Sequence, residues 1–308
     1  MKRSDERDIM FSRMARKPNT KEYDQYYSLH PELLEIDDTL RAQMPIGKPG
    51  DRFYDSLKTS TVDAAFQFLD SIKPLVEGPT ASKILTTGTA EDFTAHIKSI
   101  AELYGASVTG VAKSDESFYY SHRGRTDQVY GDSVSIDNWP HTIVFAVPMN
   151  EAMIRKAPKA EESIAVTQGY VQAAIVGMIL TYTIKAFGYE ARNHMDGNYL
   201  CTLPLAAKAA GIGDIGQHGL IITEAHGPRV RLGAVSTNLP LVNDPPFSKS
   251  IAPICETCRR CVRNCPSKAI PNDILATITQ EKCFEKWLEY GTDCGICLSV
   301  CPGFDEGK

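Results

Sequence analysis

The sequence predicts a mixed α/β core of alternating helices and strands, followed by a small cysteine-rich domain. Three observations carry that expectation. From Glu91 onward the apolar pattern switches between the helical and the strand period. Eight of the nine cysteines fall in the last quarter of the 308 residues. Between the two regions, Asn243-Asp244-Pro245-Pro246 reads as a linker. A chain of this length can bury a sizeable core and carry one large domain plus a small appended one.

The elements follow in order. Residues 1–85 are charged and interrupted by Pro18, Pro45, Pro49-Gly50 and Pro74, with a short helical pattern at Val62 to Leu69, and read as an extension packing on the core. Asp92 to Leu103 has the spacing of an amphipathic helix. Gly105 to Ala112 and Thr142 to Val147 read as strands. Ser163 to Phe187 is a long helix, apolar on nearly every face and stopped by Gly188. Its apolar run is broken by Gln172, Gly177, Thr181, Thr183 and Lys185, which argues against a bilayer span. Leu205 to Ala210 continues as helix, and Gly219 to Thr223 and Val230 to Ser236 read as strands joined by a turn at His226-Gly227-Pro228. The expected division is 1–85 extension, 86–247 core and 248–308 cysteine domain.

Composition narrows the class. Hydrophobic residues at 43% and charged residues at 23% describe a globular protein, and a net charge of −5 argues against a nucleic-acid partner. MKRSDERDIMFSRMARK has no apolar stretch after its first charges, and the Arg-Arg pair lies at Arg259-Arg260. Neither export signal is recognisable, so a cytoplasmic protein without membrane association is expected.

Cys255, Cys258, Cys261 and Cys265 form C-x2-C-x2-C-x3-C before Pro266, and Cys283, Cys294, Cys297 and Cys301 form C-x10-C-x2-C-x3-C before Pro302. In bacterial dicluster ferredoxins the fourth cysteine of one run ligates the cluster of the other. The spacing therefore assigns Cys255, Cys258, Cys261 and Cys301 to one 4Fe-4S cluster, and Cys265, Cys283, Cys294 and Cys297 to a second. Zinc sites rarely interleave two such runs, and disulfides require an oxidising compartment. Cys201 stands outside both runs and reads as a buried small hydrophobe.

Gly211-Ile212-Gly213-Asp214-Ile215-Gly216 matches G-x-G-x-x-G. The dinucleotide fingerprint needs a strand before the glycines and a helix after them, whereas here the order is inverted. The glycines either form a tight helix-to-strand joint or let backbone approach a large flat ligand, and their number, with Gly219, favours the ligand.

Ala209 to Leu241, with its GPRVRL and T-x-L-P-L elements, followed by CETCRRCVRNCPSKAI, resembles the cobalamin-dependent reductive dehalogenases and, more distantly, the epoxyqueuosine reductases. The resemblance implies a nitroreductase-like core that binds base-off cobalamin and a carboxy-terminal ferredoxin-like domain that feeds it electrons. It implies reductive dehalogenation, or a related reductive bond cleavage, of a small molecule, with an external ferredoxin or flavodoxin as donor. Gly211, Gly213, Gly216, Gln217, His218 and Gly219 are the implied cofactor contacts. The dehalogenase proton donor maps to Tyr170 in TQGYVQAA. The basic residue that follows the glycine segment in respiratory members is absent, leaving Gln217-His218 and making His218 a candidate for its role. The aspartate of epoxyqueuosine reductases has its nearest counterpart in Asp196, one residue out of register. Tyr119, Tyr120, Trp139, Tyr182, Phe187 and Tyr199 are candidate pocket walls. Two alternatives stay open: a tRNA-modifying enzyme, and a non-catalytic corrinoid or electron-transfer protein.

Overall fold

The computed structural model describes residues 3–79, 86–125, 129–274 and 276–304. The expected boundary at residue 85, and the end of the chain at 305–308, lie outside the described residues. The amino-terminal segment carries α1 (Met10–Ala15), α2 (Lys21–Leu29), α3 (Leu34–Arg41) and α4 (Ser56–Ile72). Asp55 starts α4 by accepting from the backbone N–H groups of Leu57 and Lys58. Met10, Met14 and Leu40 pack on Phe284 and Leu288 of the cysteine-rich region, while α4 lies along the long core helix. The extension thus braces both parts of the molecule. A buried ion triad secures the joint: Arg13 binds Asp37 through Nε at 2.9 Å and also binds Glu281.

The core is an antiparallel sheet of β1 (Val108–Lys113), β2 (His141–Pro148), β3 (Ala191–His194) and a long strand spanning Val230–Thr237, in the order β1, β2, long strand, β3. Between β3 and the long strand lies a separate hairpin, β4 (Gly213–Ile215) with β5 (Ile221–Thr223); the long strand is therefore β6. The sequence pattern predicts that β5 and β6 are joined through the turn at His226-Gly227-Pro228. The turn exists, but its two strands belong to different sheets, because β5 pairs with β4.

Strand alternation sorts the two faces. Ile143, Phe145 and Val147 of β2 pack against α5 (Ala90–Leu103) and the core helix, whereas Val144 and Ala146 pack against the helix Leu203–Ala209. The first of these helices is opened by a reciprocal cap between Thr89 and Asp92. After a short α6 (Glu151–Ile154) comes α7 (Ala160–Phe187), ended by Gly188 at φ +95°. Among the described residues α7 is long and apolar enough to cross a membrane, so its polar interruptions do not by themselves exclude a span. Its packing marks it as a core helix: Val176, Leu180 and Ile184 are buried against the sheet, each contributing roughly 1.5–3 kcal/mol. The helix Leu203–Ala209 is α8.

The cysteine-rich segment holds α9 (Ala252–Cys258), α10 (Arg260–Asn264), α11 (Gln280–Tyr290) and α12 (Ile296–Val300). No strand occurs there among the described residues, so its likeness to a ferredoxin rests on the cysteine spacing. Cys201 is buried in the sheet's α8-side core, as its isolation predicts.

Candidate functional site

Two cavities share the chain between residues 217 and 222. The first, about 160 Å³, is lined by Tyr170 of α7, Tyr199, Leu203 of α8, Ile221 of β5, Arg231 of β6 and Leu298 of α12, together with neighbouring apolar residues. Its chemistry centres on one contact. The Arg231 guanidinium lies 4.1 Å from the centre of the Tyr170 ring, and its Nη1 donates to the phenol oxygen at 3.3 Å. Gly169 makes this approach possible, since a Cβ there would sit 3.0 Å from Arg231 Cβ. Burial pushes the Tyr170 phenol up, and Arg231 pulls it back. The phenol therefore keeps its proton at neutral pH beside a cation that favours its release.

Arg231 supplies the positive charge that the residues after the glycine segment lack. The expected bearer of that charge is His218, since Gln217 is a neutral amide. The available signal was the alternation within GPRVRLGAVST, which sets Arg231 on the face of β6 opposite Leu232 and Ala234. Two acids missed in the sequence share its surroundings. Glu162 is fully buried, with neither carboxyl oxygen hydrogen-bonded among the described residues, and burial raises its pKa well above the usual carboxylate range. Asp293 is pushed up to about 6, first by burial, with Arg231 opposing.

Asp196 lies in the turn between the bridged residues Met195 and Asn198, next to Gly197 at φ +73°. Its Oδ1 is 4.0 Å from Arg125 Nη1, and its charge raises the pKa of both Tyr170 and Tyr199. Of the six aromatic residues considered as walls, Tyr199 lines this cavity. A second apolar space of about 190 Å³, lined by Phe11, Phe66, Thr167, Trp287 and Asp293 among others, lies across α7. The Phe66 ring stands 6.3 Å from that of Tyr170.

The other cavity collects Cys255, Cys258, Cys261 and Cys301, with His218, Ile222 and Arg260 among its walls. Burial pushes the Cys261 thiol up to about 11, with Cys301, Cys255 and Cys258 adding to the shift in that order. Cys283 is likewise raised to about 11 by burial, then by Cys294 and Cys265, while Cys297 responds to Cys283 and Cys294. Cys255, Cys258, Cys261 and Cys301 thus share one cavity, while Cys265, Cys283, Cys294 and Cys297 lie close enough to influence one another, and Cys297 also feels Cys261. Among the described residues no three His, Cys, Asp or Glu side chains converge tightly enough for a single metal ion.

The glycine segment is a joint between the core and this region. A Cβ at Gly213 would lie 2.2 Å from Ile222 O, at Gly211 2.7 Å from Pro245 O, at Gly216 2.6 Å from Ile222 Cδ1, and at Gly219 3.0 Å from Ile278 Cδ1. A side chain at any of these positions would meet the protein's own packing, which accounts for the glycines as a tight joint, the other of the two roles expected of them. Gln217 Nε2 donates to Pro271 O at 2.8 Å and Asn272 O at 3.2 Å, which ties the joint to the cysteine segment. His218 lines the cysteine cavity and not the Tyr170 cavity, so the structure does not bring it to the phenol.

No family model matches the chain. The tetrachloroethene reductive dehalogenase of Sulfurospirillum multivorans is 28% identical over 258 residues, covering 70% of this chain and 51% of that protein. A Desulfitobacterium hafniense protein of the same name is 26% identical over 259 residues, covering 67% of this chain and 47% of its own length. Over about two thirds of its length the chain is similar to these tetrachloroethene reductive dehalogenases. It spans about half the length of these relatives. A catabolic reductive dehalogenase in complex with 3-bromo-4-hydroxybenzoic acid shares the fold, with a TM-score of 0.77 over 98% of this chain and 42% of the other at 18% identity. The epoxyqueuosine reductase of Listeria monocytogenes is 37% identical over 111 residues, covering 31% of this chain and 28% of that protein. Both groups of homologues are oxidoreductases.

Proposed function

We propose that this chain is a corrinoid- and iron–sulfur-dependent reductase that cleaves a carbon–halogen bond, or a related bond, in a small organic molecule. The observation that carries the reading is the Tyr170–Arg231 contact in an apolar cavity adjoining the cysteine sets. Bound cobalamin and two 4Fe-4S clusters would supply the low-potential electrons, drawn from a ferredoxin- or flavodoxin-like donor. Overall, two electrons and one proton convert the substrate into its hydrogen-bearing product and a halide ion.

The residues fit these groups in different ways. For the clusters, the two thiol sets have the donor chemistry required, and a cubane holds its thiolates further apart than a single ion does. For the corrinoid, the Tyr170 cavity has apolar walls and no histidine among its lining residues, as a base-off cofactor would need. At about 160 Å³ it admits only part of a corrinoid, so most of the ring would lie outside it.

Within that frame the protein's own groups handle the proton. Tyr170 holds it on the phenol oxygen and gives it to the substrate carbon. Arg231 then stabilises the tyrosinate through the cation–π contact and the charge-assisted hydrogen bond. The apolar walls exclude water and strengthen both interactions. A cytoplasmic setting keeps the eight thiols reduced.

The test is anaerobic turnover of halogenated phenols and alkenes by the reconstituted protein with a low-potential donor, measuring halide release. Release that depends on added cobalamin supports the proposal, and none from any substrate contradicts it. The Asp196 turn beside Tyr170 keeps a second reading in view, an aspartate-using reductase acting on tRNA. Salt-dependent retention of tRNA by the purified protein would favour it.

A further inference from the structure

We propose that His218 donates a hydrogen bond from Nε2 to the sulfur of the cluster held by Cys255, Cys258, Cys261 and Cys301, and thereby raises that cluster's reduction potential. The inference rests on the cluster reading above and concerns how this chain tunes one of its two centres.

The tautomer follows from the backbone. His218 Nδ1 accepts the Leu220 N–H at 3.2 Å, so its lone pair is occupied and Nδ1 carries no proton. A neutral imidazole has a single N–H, which must then be at Nε2. That Nε2 is buried and has no hydrogen-bond partner among the described residues. A buried donor left unpaired bears the full cost of its desolvation, so a partner is expected.

The surroundings identify the partner. His218 is 2% exposed and lines the cavity where the four cysteines meet. The other side chains there are aliphatic or cationic, so sulfur is the side-chain acceptor on offer. Gly216 makes room for the ring: a Cβ there would stand 2.9 Å from His218 Cε1. This gives the third glycine of the motif a reason to be glycine.

The position has a consequence for electron flow. Leu220 and Ile221, two and three residues after His218, line the Tyr170 cavity, and Leu298 lines it three residues before Cys301. The cluster that receives the hydrogen bond therefore shares its walls with the reaction cavity. A hydrogen bond to cluster sulfur stabilises the more negative, reduced state, so this centre becomes a better electron acceptor than it would be without His218.

The experiment is an EPR-monitored redox titration of the full, anaerobically reconstituted protein in wild-type, His218→Leu and His218→Gln forms. His218→Leu is expected to shift one cluster's midpoint to more negative potential and leave the other unchanged. His218→Gln, which keeps an N–H donor, should restore most of the shift. Unchanged midpoints in His218→Leu with both clusters present, or equal shifts in both, overturn the inference. Should His218→Leu lose its cluster, the wild type decides: exchange into deuterium oxide must remove a proton coupling from the reduced cluster's hyperfine spectrum, and a spectrum without such a proton overturns the inference. A wild-type protein that assembles no cluster overturns the cysteine reading, and this inference with it.

Discussion

The cysteine cavity takes its four thiols from the short run 255–261 and from Cys301, whereas the Tyr170 cavity takes its walls from five elements spread along the chain, α7, α8, β5, β6 and α12. In the first, spacing along the chain carries most of the information. In the second, Tyr170 and Arg231 lie 61 residues apart and meet only because Gly169 lets α7 and β6 approach closely. Local ligand sets can be read directly from a sequence, while a site assembled from helix and strand faces requires the fold.

Losing a ligand from the spacing-built cavity should have the largest effect. Cys301→Ser is expected to remove about four of eight irons per chain, because Cys301 completes the set of the first run. Iron and acid-labile sulfide analysis measures this, and loss of the cluster bound by Cys265, Cys283, Cys294 and Cys297 would break the crossed assignment. Next in size is the fold-built cavity. Tyr170→Phe should keep both cofactors and lower turnover by about a hundredfold or more, the scale of a general acid.

Arg231→Met should cost less, about tenfold, the kinetic equivalent of a cation–π contact worth about 1–2 kcal/mol. Burial would then act on Tyr170 against Arg125 alone, so the alkaline limb of the pH–rate profile should move upward. A profile that stays in place would separate Arg231 from the phenol. The smallest effect is expected outside both cavities, at His194. Burial, reinforced by Arg192 and Arg123, holds its pKa well below the usual value. The folded state therefore excludes a proton that the unfolded chain binds. Stability should be full above about pH 6.5 and decline as pH falls below it. In His194→Asn that slope, followed by thermal unfolding across pH, should flatten.

The same contrast explains what the sequence made legible. α5, α7, β1, β2 and β6 were readable from period and stop signals such as Gly188. β3 was not, because four buried residues, Ala-Arg-Asn-His, carry no apolar alternation. Arg192 is satisfied there by Asn198, and His194 by Ser236, pairings invisible in a linear pattern. The G-x-G-x-x-G segment was correctly separated from the dinucleotide fingerprint, since α8 precedes it and a hairpin follows. Its packing is not legible in the sequence, because the residues that fill its missing Cβ positions lie on β5, the linker and the cysteine segment. Glu162 and Asp293 gave no signal, being ordinary acids until α7 and the turn before α12 bring them near Arg231.

The central claim is that one chain carries both a base-off corrinoid and two clusters. The most direct measurement is metal analysis combined with EPR of the anaerobically reconstituted protein. About eight irons and one cobalt per chain are predicted, with a Co(II) signal lacking nitrogen superhyperfine structure from a lower ligand. Eight irons with no retained cobalt would contradict the account and leave an electron-transfer protein in its place.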